Sequence, residues 1–146
     1  MLPASRTVQK LAWVYAAMFL AIAALGYLPG VTDANGYLFG LFKLDLIDDL
    51  LHLGSGIWAG LAAWHSARAA TFYFKLFGSI YGLDGIVGFM FGQGFLDGGI
   101  FLHGIMPIDW LTKLAANLPH ILIGGVAVYI GFVVSRRLAN SVAKYA

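Results

Sequence analysis

The sequence predicts an all-α membrane protein: four transmembrane helices built as a duplicated helical hairpin, in parallel repeat. Three observations predict it. Of the 146 residues, 60% are hydrophobic and only 11% are charged, against about 25% charged in a soluble domain. The apolar residues fall in long runs without alternation, near the roughly 20 residues that cross a bilayer as a helix. Polar landmarks then recur at a fixed offset in the two halves. In hydrocarbon each backbone N–H and C=O must be paired internally, so uninterrupted runs of this length mean helices.

The first span is Val8–Leu28, with Lys10 at its start and Pro29-Gly30 ending it. Arg6, Lys10 and the later Ala21-Ile22-Ala23 also mimic a signal peptide; with Met1 present, a retained helix is expected. The second span has its core at Asp49–Trp64 and is extended to residues 45–65. The third is Phe72–Phe91, interrupted by Asp84. The fourth has its core at Leu118–Val134, stopped by Ser135-Arg136-Arg137, and reaches back to Asp109, an expected N-cap, giving 109–135. The stretch DWLTKLAANL leading into its core is amphipathic and is expected on the outer membrane surface. Pro119 removes the backbone bond to Ala115 and should kink the chain, aiming His120. The whole chain, 1–146, reads as a single integral membrane domain.

Charge gives a direction. Arg6, Lys10, Arg68, Lys75, Arg136, Arg137 and Lys144 fall on one side of these spans, and Lys43 and Lys113 on the other. Basic residues are retained in the cytoplasm, so both termini are expected inside, in the cell's inner (plasma) membrane. Asp33, Asp45, Asp48, Asp49, Asp97 and Asp109 lie on the outer side. The pI of about 9.0 is thereby explained by topology, without nucleic acid. Cysteine is absent, which removes disulfides, thiolate metal sites and cysteine nucleophiles.

The internal repeat appears at an offset of 68, where Asp49 meets Asn117, His52 meets His120 and Gly56 meets Gly124. The odd spans match at an offset of 62, where Tyr15 meets Phe77, Phe19 meets Tyr81 and Gly26-Tyr27 meets Gly88-Phe89. Two spans separate the halves, so the halves run parallel. Gly56-x-x-x-Gly60 and Gly78-x-x-x-Gly82 provide close helix contacts, and Gly78, Gly82 and Gly85 put small residues on one face of the third span.

The stretches GYLPG, LFGLFKLDLIDDLLHLGSG and NLPHILIGG resemble the domain of unknown function 4383 family of small bacterial four-helix membrane proteins. The resemblance covers roughly residues 8–134 and rests on that family's N-x-x-H unit, here with Asp49 in place of the first Asn. It implies topology and carries no activity.

Asp49, His52, Asn117 and His120 form the candidate site, read either as an inter-helix polar cluster or as a ligand site. Two facing imidazoles with Asp49 could hold haem iron or a divalent metal; alternatively each Asp or Asn caps its helix and each His bonds across the bundle. Asp84, thirteenth in its span, is an intramembrane acid that must find a partner. Tyr15, Tyr81 and Ser55 are its candidate partners. His65 reads as an interface residue, and His103 as a loop residue. The glycine-rich Phe91–Gly99 stretch has no GKS or GKT and is no phosphate loop. No catalytic constellation is present, and glutamate is absent. The expected function is structural or accessory, in contact with membrane lipids and as a homo-oligomer or a member of a larger complex. Haem or metal binding by His52 and His120, and proton or cation conduction by Asp84, stay open.

Overall fold

The computed structural model describes residues 3–34, 37–40, 42–43 and 46–144. Helix α1 spans Pro3–Leu25. Proline suits a first turn, where its missing N–H has no intrahelical partner to lose. The helix ends three residues before the expected Leu28, where Tyr27 N and Leu28 N turn back to the carbonyls of Ala24 and Leu25. A small antiparallel ribbon follows, β1 (Tyr37–Leu38) on β2 (Phe42–Lys43).

Helix α2 runs Leu46–His65; its expected start at Asp45 lies outside the described residues. Ser66 alone separates it from α3, Ala67–Phe91. The Ser66 hydroxyl accepts from Ala69 N at 3.1 Å and caps the new helix. That cap starts α3 five residues before the expected Phe72, so Arg68 and Lys75 lie within the helix. A short α4 (Gly99–His103) precedes α5 (Trp110–Tyr129). One wide π turn, Ile130–Val134, joins α5 to α6 (Ser135–Lys144) without a break. The expected surface segment at residues 109–118 is thus the start of α5, and the helix passes through Pro119. Nor does Ser135-Arg136-Arg137 stop it: charged residues can continue a helix outside the apolar layer.

Three helical stretches are long and apolar enough to cross a membrane: Arg6–Leu25, Ala67–Phe91 and Trp110–Ser141. The sequence predicts four. α2 has the length but falls short in apolarity, because Asp48, Asp49 and His52 occupy its first two turns.

α1 packs mainly on α2, and α3 on α5. Both pairs are antiparallel. A side chain on Gly56 would meet Leu20, and one on Gly60 would meet Trp13 and Ala16. Gly78 faces Val128, Gly82 faces Gly124, and Gly85 faces His120 and Ile121. Between the pairs lies an aromatic core. Tyr73 stacks on Phe77 at 5.0 Å, Phe77 stacks on Tyr81 at 4.9 Å, and Tyr15 meets Phe74 edge-on at 5.0 Å. The Tyr15 hydroxyl donates to Ile123 O at 2.9 Å, tying α1 to α5. Leu53, Ile57, Leu61, Leu83, Ile86, Leu122 and Val126 point outward. A surface this apolar suits lipid, which is as apolar as the side chains themselves.

Candidate functional site

Asp84 is the eighteenth of the 25 residues of α3, past the centre toward its C-terminal end. Eight residues on, the C-cap Gly92 takes φ 83° and donates its N–H to Gly88 O at 2.8 Å. Glycine reaches this left-handed conformation at little cost. The chain then folds back over the helix it has just left. Gly94 lies directly on the Asp84 carboxylate, where an added Cβ would sit 2.7 Å from Oδ1. Phe95 N and Leu96 N donate to that same Oδ1 at 2.6 and 2.8 Å. Ile100 N bonds Gly94 O at 2.8 Å and Met106 N bonds Phe91 O at 2.9 Å, pinning the loop at both ends. The glycine-rich stretch is therefore a carboxylate cradle.

The other carboxylate oxygen is taken by α5. Asp109 caps that helix, accepting from Thr112 N at 3.0 Å and also from the Thr112 hydroxyl. These bonds, the side-chain one first, hold the Asp109 carboxyl below the usual carboxylate range. Three turns on, His120 Nδ1 lies 2.9 Å from Asp84 Oδ2. The His120 ring stacks on Tyr81 at 4.3 Å. With Nδ1–H donated to the carboxylate, Nε2 is left as the acceptor of the imidazole.

The first half has the same ring contact without the acid. His52 stacks on Phe19 at 5.9 Å, and Phe19 and His52 are the residues that the offsets of 62 and 68 match to Tyr81 and His120. The residue matched to Asp84 is Ile22. His52 is 8% exposed; its Nδ1 is buried without a well-aligned partner, and the ring lies within reach of the Asp48 backbone carbonyl, one turn earlier, to which an imidazole N–H donates.

Both histidines line one cavity of about 480 Å³, at the end of the bundle away from residues 3–10 and 135–144. Asp48, Asp84, Asp97, Gln93 and Asn117 add polar groups; Ile22, Leu51, Leu96 and Ile123 add apolar ones; Tyr37 and Phe39 of the ribbon region close one side. The four residues singled out by the repeat are thus divided. His52, Asn117 and His120 surround the cavity, whereas Asp49 is absent from its lining. Asp49 Oδ2 instead accepts from the Tyr27 hydroxyl at 2.8 Å, which holds that phenol above its usual pKa. Asn117 Nδ2 returns to Lys113 O on its own helix. Among the described residues, no three His, Cys, Asp or Glu side chains converge as a metal would need. His65 is exposed at the last position of α2, and His103 is exposed at the end of α4.

The pairing of Asp84 with His120 is absent from the sequence reading, which gives Asp84 hydroxyl partners. One signal could have supplied it. Asp84 follows Tyr81 by three residues and so shares its helix face, and the offsets match Tyr81 and His120 to Phe19 and His52, which lie at the same ends of the first two predicted spans.

No curated protein and no solved structure matches the chain. A family model, domain of unknown function (DUF4383), matches residues 9–133. That match takes in the helices of both hairpins and every wall of the cavity, and the chain belongs to the domain of unknown function 4383 family.

Proposed function

We propose that the chain is a four-span inner-membrane protein, with both termini in the cytoplasm, and that it is a non-catalytic accessory protein holding a small molecule in the cavity at its outer end. α2 is the fourth span in this reading. It is 20 residues long, packs along α1 through Gly56 and Gly60, and turns His52 inward. The duplicated hairpin is supported by matched contacts. Gly56 on Leu20 corresponds to Gly124 on Gly82, and Gly60 near Ala16 corresponds to Val128 on Gly78, under the offsets of 68 and 62. The orientation is supported by the seven basic residues at the end opposite the cavity.

The observation that carries the binding role is the cavity itself. Its volume of about 480 Å³ falls within the roughly 300–1,000 Å³ usual for small-molecule sites, and its walls are mostly apolar with a few fixed polar groups. The Asp84–His120 pair and the two loop amides lock one wall in place, a preorganisation that lowers the cost of binding. A continuous proton or cation path finds less support, because the core beyond Tyr81 is aromatic, through Phe77, Phe74 and Tyr73.

The experiment is a melting screen of detergent-purified protein against small amphiphiles of each charge type. At least one class should raise the melting temperature saturably, and Ala116→Trp, which fills the cavity, should abolish the effect. No response to any class would end the binding reading. A haem absorption band in the pure protein would replace it with a haem-protein one.

A further inference from the structure

We infer that the ligand of this cavity is a neutral amphiphile that presents a hydroxyl to Nε2 of His120. This deepens the binding reading above and rests on it. The Asp84–His120 contact sets the polarity of the ring. An ionised carboxylate only accepts, so the imidazole donates its Nδ1–H to Asp84 Oδ2 and keeps a lone pair on Nε2. The acid is held in place, because Phe95 N and Leu96 N donate to its other oxygen at 2.6 and 2.8 Å. Asp84 is thus a positioning residue, acting on the ligand through His120.

Access is a second, independent feature. His120 lines the cavity, and its side chain is 27% exposed against 5% for its acid. Among the described residues Nε2 has no hydrogen-bond partner, yet it is not one of the polar atoms buried without one. His52, its repeat mate, is the opposite case, with an Nδ1 closed off from the cavity space. Tyr81 covers one face of the His120 ring at 4.3 Å, so a ligand meets the ring at its edge, where Nε2 lies. A lone pair there accepts an O–H and repels an anionic oxygen. A cation would find the adjoining Asp84 carboxylate already occupied by three donors. Ile123 lies one turn on from His120, and Ile22, Leu25 and Leu51 continue an apolar wall for the rest of the molecule. The same chemistry is found in a free alkanol and in a lipid alcohol such as a diacylglycerol.

The test uses full-length protein labelled with nitrogen-15 in its histidines, at about pH 8, in dodecyldimethylamine oxide, a detergent without a hydroxyl. The probes are decanol and methyl nonyl ether, isomers of which only the alcohol carries an O–H, each dosed per mole of detergent. Decanol should shift the Nε2 resonance of His120 saturably, and should half-saturate about tenfold below the ether, as one added hydrogen bond predicts. The ether should leave that resonance unmoved. His120→Asn keeps an N–H for Asp84 but has no atom in the place of Nε2; it assigns the resonance and should abolish the preference. Asp84→Asn keeps an oxygen for the loop amides and turns its NH2 to Nδ1, which sends the imidazole proton to Nε2. The preference should vanish there too, since both probes carry an acceptor oxygen. The two isomers are compared on wild type, so the assignment stays testable should either variant fail to fold. Equal binding of the isomers, alcohol binding that leaves Nε2 unmoved, or Nε2 already protonated in the wild type would overturn the hydroxyl assignment and leave the cavity a binding site. Silence from both probes, together with silence from larger amphiphiles, would remove both readings. Native mass spectrometry then distinguishes the sources: a retained lipid alcohol assigns the hydroxyl to a lipid, and bare protein that binds decanol assigns it to a free alkanol.

Discussion

His120 on α5 reaches Asp84 on α3 at 2.9 Å, and the same carboxylate accepts two backbone N–H groups from the loop that folds over it. One acid thereby ties together two helices and the lid of the cavity. The acid is 4% exposed, so its removal leaves three donors without a partner. Each buried unsatisfied donor costs about 1–3 kcal/mol. Asp84→Ala should therefore destabilise the detergent-solubilised protein by about 3–5 kcal/mol, the range for losing one member of a buried pair. His120→Ala, at a more exposed position, should cost about 1–3 kcal/mol. Equal melting temperatures for Asp84→Ala and wild type would show that the carboxylate does not hold this corner.

Beside the matched ring contacts, Ile22 stands in the first half where Asp84 stands in the second. Restoring the acid in the first half tests whether the geometry is truly repeated. Ile22→Asp places a carboxylate next to the cavity and one helix away from His52. It should be less harmful in wild type than in a His52→Ala background, with a coupling of about 0.5–3 kcal/mol in the double-mutant cycle. Additive effects would mean that the first half cannot form the pair.

At the Gly82–Gly124 crossing the α3–α5 contact is tight on one side only. An added Cβ on Gly124 would collide with the Gly82 backbone, whereas one on Gly82 would meet nothing nearer than 3.6 Å. Gly124→Ala should thus cost about 1–3 kcal/mol through overpacking. Gly82→Ala should be neutral or slightly stabilising, since alanine is favoured over glycine in a helix by roughly 0.5–1 kcal/mol. Thermal melts of the two variants in the same detergent compare them; a reversed order would contradict this register of helix packing.

Asp109 gives a pH signature. Its folded-state pKa is held down by Thr112, so the ionised form favours the folded state. That stabilisation is complete above the unfolded carboxyl value near 4 and is lost as the pH falls through the lower folded value. Asp109→Ala should lower the melting temperature at pH 7, and the difference from wild type should shrink below about pH 4. A gap that stays constant down to pH 2 would exclude the ionised cap as its source.

Much of this was legible in the chain. The apolar runs gave the helices, and Asp109 read as a cap because a short acid before a helix accepts its free N–H groups. Helix ends were harder. Ser66 extends α3 backward by a side-chain bond that a hydropathy window does not register. The role of Asp84 was hidden for a different reason: two of its partners are backbone amides of Phe95 and Leu96, which any residue carries. The glycines at positions 92 and 94 marked a tight loop, but not where it would land. The cavity needs four helices, the ribbon and the loop after α3 to meet, and no local pattern records that meeting.

The most direct measurement of the central claim, an outward-facing cavity at one end of a membrane bundle, exploits the absence of native cysteine. Ala116→Cys puts a thiol on the exposed cavity wall of α5, and Ser141→Cys puts one on the exposed surface of α6 at the opposite end. A membrane-impermeant maleimide applied to intact cells, or to spheroplasts where an outer envelope intervenes, should label Ala116→Cys at once and Ser141→Cys only after the membrane is opened. Immediate labelling of Ser141→Cys, with Ala116→Cys silent until the membrane is opened, would contradict the account.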